Sequence, residues 1–322
     1  MEIQKPANTE RTSKLEAIGN SLKNEMRSLS REPAVIIFHP SRLPNRAEFE
    51  SLFAISGGNA VEHDIRAGKE GYSIQQGMFT DRLKAWSVVN NIGEFKIFFG
   101  DERASEIIKI VKERTDTREP VTIDTVKTKL FVKDLTLSEL EAFASVGGEQ
   151  IIGIKSFLDL YQRATENGTA PGRLSADIKD GDMSISGGAD KAVEATKVLL
   201  EELKVRNLEN SLYMVMQYNI PSLMESRRLL PGHVQSVGII SSDIIKKEGE
   251  PAFYAYAAKM MTDTGTEWIG TKAAELRIVQ ELINAKRPNM MVYVPPKESA
   301  DLPYLVNLLR DYPNIKAIQI DA

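Results

Sequence analysis

Apolar and polar positions alternate along this chain in short blocks. Leu15, Ile18, Leu22, Met26 and Leu29 recur at intervals of three and four, which predicts an amphipathic helix over residues 14–29. Ser13 is its expected cap and Pro33 its stop. The run Ala34-Val35-Ile36-Ile37-Phe38-His39 then ends at Pro40 and reads as a buried strand. A helix over 47–55 leads to Gly57-Gly58, and a second helical stretch covers 81–89. Glu94–Phe99 reads as a strand ending at Gly100. Asp101–Arg114 reads as a helix with Ile107, Ile108 and Val111 on one face and charges matched to its dipole.

The same order recurs. Val126–Val132 reads as an opening strand, Ser138–Ala144 as a helix before Gly147-Gly148, and 151–164 as a long helix. Asp182–Ser186 reads as a strand ending at Gly187, and Asp190–Leu203 as a closing helix. A third round opens with the strand Leu212–Ile220, continues through Pro221 and a helix to Leu230, and closes with Glu267–Ile269, Gly270 and the helix Lys272–Lys286. A fourth has the strand Met290–Val294, the helix Leu302–Arg310 and the strand Ile315–Ile320. Gly100, Gly187 and Gly270 are 87 and 83 residues apart. The expected organisation is a polar arm and helix over 1–32, units over 33–117, 118–207 and 208–287, and a partial unit over 288–322.

Composition narrows the function. With 322 residues, 42% apolar and 27% charged, the chain is long and apolar enough for several globular cores. A net charge of −4 lacks the basic excess of a dedicated DNA binder. The absence of cysteine excludes disulfides, thiolate metal sites and cysteine nucleophiles, and suits a reducing compartment. The three histidines, His39, His63 and His233, show no ligand-like spacing, so no metal site is expected. No apolar run reaches membrane-spanning length and residues 1–10 do not read as a secretory signal, so the cytoplasm is the expected location. No nucleophile elbow, zincin motif or P-loop is found, so no catalytic residue and no cofactor is assigned.

Each unit is expected to run strand, helix, helix, strand, strand, helix. Met183-Ser184-Ile185-Ser186-Gly187 with the helix 190–203 behind it resembles the end of a KH domain, as do 95–114 and 267–286. The strand-to-proline openings at His39-Pro40, Ile220-Pro221 and Val294-Pro295-Pro296 are similar too. This resemblance implies an α+β fold, a rod-like array of tandem KH-like repeats. The GxxG loop that clamps nucleic acid in a KH domain is missing at the matching places. There the chain has Gly57-Gly58, Gly147-Gly148, Leu229-Leu230-Pro231-Gly232 and Asp301-Leu302-Pro303-Tyr304.

Arrays with such degenerate units are similar to the Bicaudal-C family. The resemblance implies a non-enzymatic cytoplasmic scaffold in messenger-RNA regulation, through translation or poly(A)-tail control. Its partners would be weakly bound single-stranded RNA and proteins such as a cytoplasmic poly(A) polymerase or deadenylase, with no membrane and no DNA. Arg227, Arg228 and His233 form one candidate phosphate-binding cluster. Lys127, Lys129 and Lys133 alternate along a predicted strand, which suits an RNA-facing edge or a lysine-protected one. Met214, Met216, Met260, Met261, Met290 and Met291 suit core filling or an adaptable partner surface. Two other classes stay open. One is a virus-type RNA-encapsidating nucleoprotein, suggested by the polar arm and Asp134–Ala144. The other is an α/β enzyme, which a deep pocket lined by titratable groups would favour.

Overall fold

The apolar run before Pro40 forms a strand, β1 (Val35–His39), but its partners are remote in sequence. The computed structural model describes residues 16–25, 27, 34–39, 50, 52–53, 60–67, 74–76, 90–115, 120–130, 134–136, 138–139, 145–146, 149–150, 153–169, 172–179, 188–295 and 301–321. On one side β1 runs parallel to the last strand, β11 (Ile315–Asp321), with Val35 beside Ala317 and His39 beside Asp321. On the other it meets β2 (Ala60–Ala67) at Ile37 and Phe38 only. Beyond that point a short strand, β3 (Ile74–Gln76), lies antiparallel to the end of β2. A small hairpin follows in sequence, β4 (Ser145–Val146) with β5 (Glu149–Gln150).

From β2 the ladder continues, parallel at every step. It passes through β6 (Arg173–Lys179), β7 (Leu212–Gln217), β8 (Gln235–Ile239), β9 (Trp268–Lys272) and β10 (Asn289–Val294) to β11. Eight parallel strands thus close on themselves, and helices such as Gly188–Val205, Ile220–Leu229, Glu250–Thr264 and Leu302–Asp311 follow them. This is a (β/α)8, or TIM-type, barrel.

Burial on both faces explains why β1, β7 and β10 read as continuous apolar runs. Ile37, Met214, Met216, Val237, Met291 and Ala317 share one cluster inside the barrel. Their neighbours Ile36, Phe38, Val215, Met290, Val292 and Ile318 belong to a second cluster with the surrounding helices. The methionines are therefore largely core. Gly270 sits on the inner side, where a Cβ would lie 2.2 Å from Ile239 Cδ1, so only glycine fits without rearrangement. At the N-terminal end Arg173 stacks 4.7 Å from the Tyr213 ring, and Tyr213 meets Trp268 edge-on at 6.4 Å.

Between β2 and β6 a small helical insertion has its own core of Phe95, Ala104, Ile107, Val111, Ile123, Val126, Leu130 and Leu135. Two ion pairs tie it together. Arg114 grips Asp134 with both guanidinium branches, at 2.5 and 2.8 Å, and Arg103 grips Glu139 at 2.6 and 3.0 Å.

These findings correct the expected fold. The α+β array of tandem KH-like repeats does not exist, because strands from all four expected units share one closed parallel ladder. The likeness to KH domains and to the Bicaudal-C family falls with it. Glu94–Phe99 lies in a helix, Ile92–Phe99, since the Asn91 side chain accepts from the Glu94 amide and Phe95 stacks on Phe99 one turn later, at 4.9 Å. Gly100, at φ 75°, breaks this helix from the next rather than ending a strand. Residues Ile123–Lys129 are also helical, capped by Thr122. The expected strand at 182–186 and helix at 81–89 lie outside the described residues. Among the described residues no helix is long and apolar enough to cross a membrane.

Candidate active site

All strands of a parallel barrel end on one rim, and chemistry in such barrels gathers at the C-terminal ends of the strands. Here four adjacent strands, β11, β1, β2 and β6, bring polar groups to that end. His39 is the last residue of β1 and is buried. Its Nε2 lies 3.6 Å from Oε1 of Glu62, which is fully buried on β2. Gln319 of β11 donates to the same oxygen at 3.4 Å. Strand alternation explains the placement: Val61 turns out toward the helices, and Glu62 therefore turns in.

β6 adds Asp177, 3% exposed, between the outward Ala176 and Ile178. Its Oδ2 accepts a 2.9 Å hydrogen bond from the Tyr218 hydroxyl just past β7. Tyr256 in turn donates to the Tyr218 carbonyl at 2.9 Å. In the backbone register Asp64 pairs with Asp177, Glu62 with Ser175, and His39 with Asp321. The buried Ser175 hydroxyl meets no hydrogen-bond partner among the described residues.

The arrangement holds an imidazole and two inward carboxylates at one mouth. That set can move a proton and can counter an anionic substrate through a bound cation. Glu62, Asp177 and the Ser175 hydroxyl are hard oxygen donors, the type that Mg²⁺ or Ca²⁺ takes with help from water and substrate phosphate. Among the described residues no three acidic or histidine side chains converge tightly enough to hold a metal by themselves.

The residues singled out from sequence lie elsewhere. Arg227 donates to the Thr264 carbonyl, exposed Arg228 pairs with Glu225 at 2.7 Å, and His233 Nε2 lies 3.2 Å from the Glu209 carbonyl. All three sit near the start of β8, at the end of the barrel opposite His39. There Arg227, Pro231 and Gly232 line a cleft with Gln235, Glu267 and Trp268. Lys127 and Lys129 lie on a helix of the insertion, so they form no alternating strand edge. Lys133, Gly57, Gly58, Gly147 and Gly148 fall outside the described residues. Glu62, Asp177, Tyr218 and Gln319 were not anticipated. The available signal was the alternation of Glu62 and Asp64 within an otherwise strand-like segment.

No protein-family model matches the chain, and no curated protein matches it. Solved structures do. A protein of Agrobacterium tumefaciens str. C58, provisionally described as a glycerophosphoryl diester phosphodiesterase, superposes with a TM-score of 0.54 at 13% identity, over 89% of this chain and 93% of that one. A protein of Silicibacter pomeroyi DSS-3 with the same provisional description gives 0.54 at 14% identity, over 92% and 93%. The non-enzymatic RNA scaffold built of KH units is overturned, since the described strands of all four expected units form one parallel barrel whose fold neighbours are not KH domains. Of the architectures weighed from sequence, an α/β fold is the one that the barrel matches. In fold, the chain is similar to these phosphodiesterase barrels along nearly its whole length.

Proposed function

We propose that the chain is a hydrolase of small phosphodiesters, acting at the C-terminal mouth of the barrel. The observation that carries this reading is the buried Glu62 set 3.6 Å from His39, at the end of the barrel where such folds do chemistry. The provisional description of the fold neighbours supports a glycerophosphodiester-like substrate.

In this reading His39 takes a proton from an attacking water as its oxygen forms the new P–O bond, the P–O bond to the leaving alcohol breaks, and that oxygen takes up a proton from solvent, to which His39 later releases its own. Glu62 orients the imidazole and stabilises its charged form, while Gln319 holds the carboxylate. A divalent cation held by Glu62 and Asp177 would neutralise charge on the phosphate. The cytoplasm is kept as the proposed compartment, supported by the lack of cysteine.

The test is hydrolysis of bis(p-nitrophenyl) phosphate and of glycerophosphodiesters with Mg²⁺, Ca²⁺ or chelator. Turnover should appear in the wild type and fall by about 10² or more in His39→Ala. No turnover of any diester, or equal rates in the variant, would sink the proposal.

A further inference from the structure

We infer that Tyr218 is a positioning residue that fixes the Asp177 carboxylate at the barrel mouth, and that Tyr256 holds Tyr218 in place. The inference rests on the phosphodiesterase reading. β7 ends at Gln217, which turns outward and donates to Ser226 at 2.7 Å and Thr196 at 3.3 Å. The next residue, Tyr218, therefore falls on the inner side, where its hydroxyl reaches Asp177. Its backbone is held on both flanks. Gln217 anchors the strand end, and Asn219 caps the following helix by accepting from the Ser222 amide at 2.8 Å. The Tyr256 hydroxyl, from helix Glu250–Thr264, closes the third side on the Tyr218 carbonyl.

A carboxylate that serves a cation or a phosphate has to present its oxygens in one orientation. A rigid phenol on an anchored backbone supplies this for Asp177. Outer hydrogen bonds of this kind typically change affinity or activity by about 10–100-fold.

The experiment compares wild type, Tyr218→Phe, Asp177→Asn, the double variant and Tyr256→Phe. Each is assayed for kcat/KM on bis(p-nitrophenyl) phosphate, for Mn²⁺ binding by calorimetry, and for Tm. Tyr218→Phe should lower kcat/KM and Mn²⁺ affinity by about 10–100-fold with Tm near wild type. The double variant should be no worse than Asp177→Asn, because both act through one carboxylate. Tyr256→Phe should give a smaller loss in the same direction. Losses that multiply in the double variant, or a wild-type Tyr218→Phe, overturn the inference while leaving the phosphodiesterase reading intact. If the wild type binds Mn²⁺ without turnover, that reading fails and the coupling in Mn²⁺ affinity decides the inference. If it neither turns over diesters nor binds Mn²⁺, both fall.

Discussion

Glu62→Gln should abolish activity and leave stability almost unchanged. Glu62 is fully buried, and an ionised carboxylate in such a place costs several kcal/mol of desolvation. The His39 ring at 3.6 Å offsets this. A neutral imidazole, the form that can take a proton, offsets it only as a dipole; after the proton transfer the charged pair is worth about 4–5 kcal/mol at an effective dielectric of about 20. The Gln319 bond, long at 3.4 Å, adds on the order of 1 kcal/mol or less. Glutamine has nearly the same shape and keeps an acceptor oxygen for Gln319. The substitution therefore removes the buried charge and the attraction that offsets it together. The net change should stay within about 2 kcal/mol, and Tm should move by less than about 5 °C. Diester turnover should fall by about 10²–10⁴, because His39 loses the group that orients it. Differential scanning calorimetry and the turnover assay on one preparation read both effects. A Tm loss above about 10 °C would make Glu62 a structural anchor, and activity within about tenfold of wild type would remove it from the site.

The other predictions concern the insertion and the helix side of the barrel. Phe95→Ala should cost the insertion about 3–5 kcal/mol. Hydrogen exchange should quicken over 92–130 while the barrel strands keep their protection, and equal losses in both would refute a separate core. Burial pushes the Glu139 carboxyl up, but the bonds from Arg103 and the Thr136 amide outweigh it and hold the group below the usual carboxylate range. A depressed folded pKa stabilises above the unfolded value of about 4.3 and is lost as pH falls through the lower folded value. Exchange in the insertion should therefore quicken below about pH 4.3, and Glu139→Gln should remove that step; an unchanged profile would refute the assignment. At Gly238 an added Cβ would lie 2.1 Å from Met260 Sδ, so Gly238→Ala should destabilise by about 1–3 kcal/mol in a denaturant melt. Arg228→Ala should leave diester turnover at the wild-type rate, since Arg228 is exposed near the N-terminal end of the barrel.

Parts of the fold were legible because their burial leaves a local mark. β1, β7, β10 and β11 are rich in buried apolar residues and read as strands. The helices Asp101–Glu113, Gly188–Val205 and Leu302–Asp311 show their period clearly. β2 and β6 read as loops because Glu62 and Asp177 interrupt the apolar run at inward positions and Asp64 adds a further acid to β2. The two inward carboxylates of the candidate site are thus the residues that hid their strands. The apparent repeat of about 85 residues joined unlike features: Gly100 parts two helices, whereas Gly270 lies inside β9.

The sequence alone determined that the chain alternates helices with buried strands, lacks cysteine chemistry and carries few histidines. It could not state which strands pair, because burial on both faces records an environment and not a neighbour. Only the tertiary structure joined β1 to β11 from opposite ends of the chain and closed the ring. That closure turned His39, Glu62, Asp177 and Gln319 from scattered polar residues into one site. Their proximity comes from long-range strand register, which no local periodicity carries.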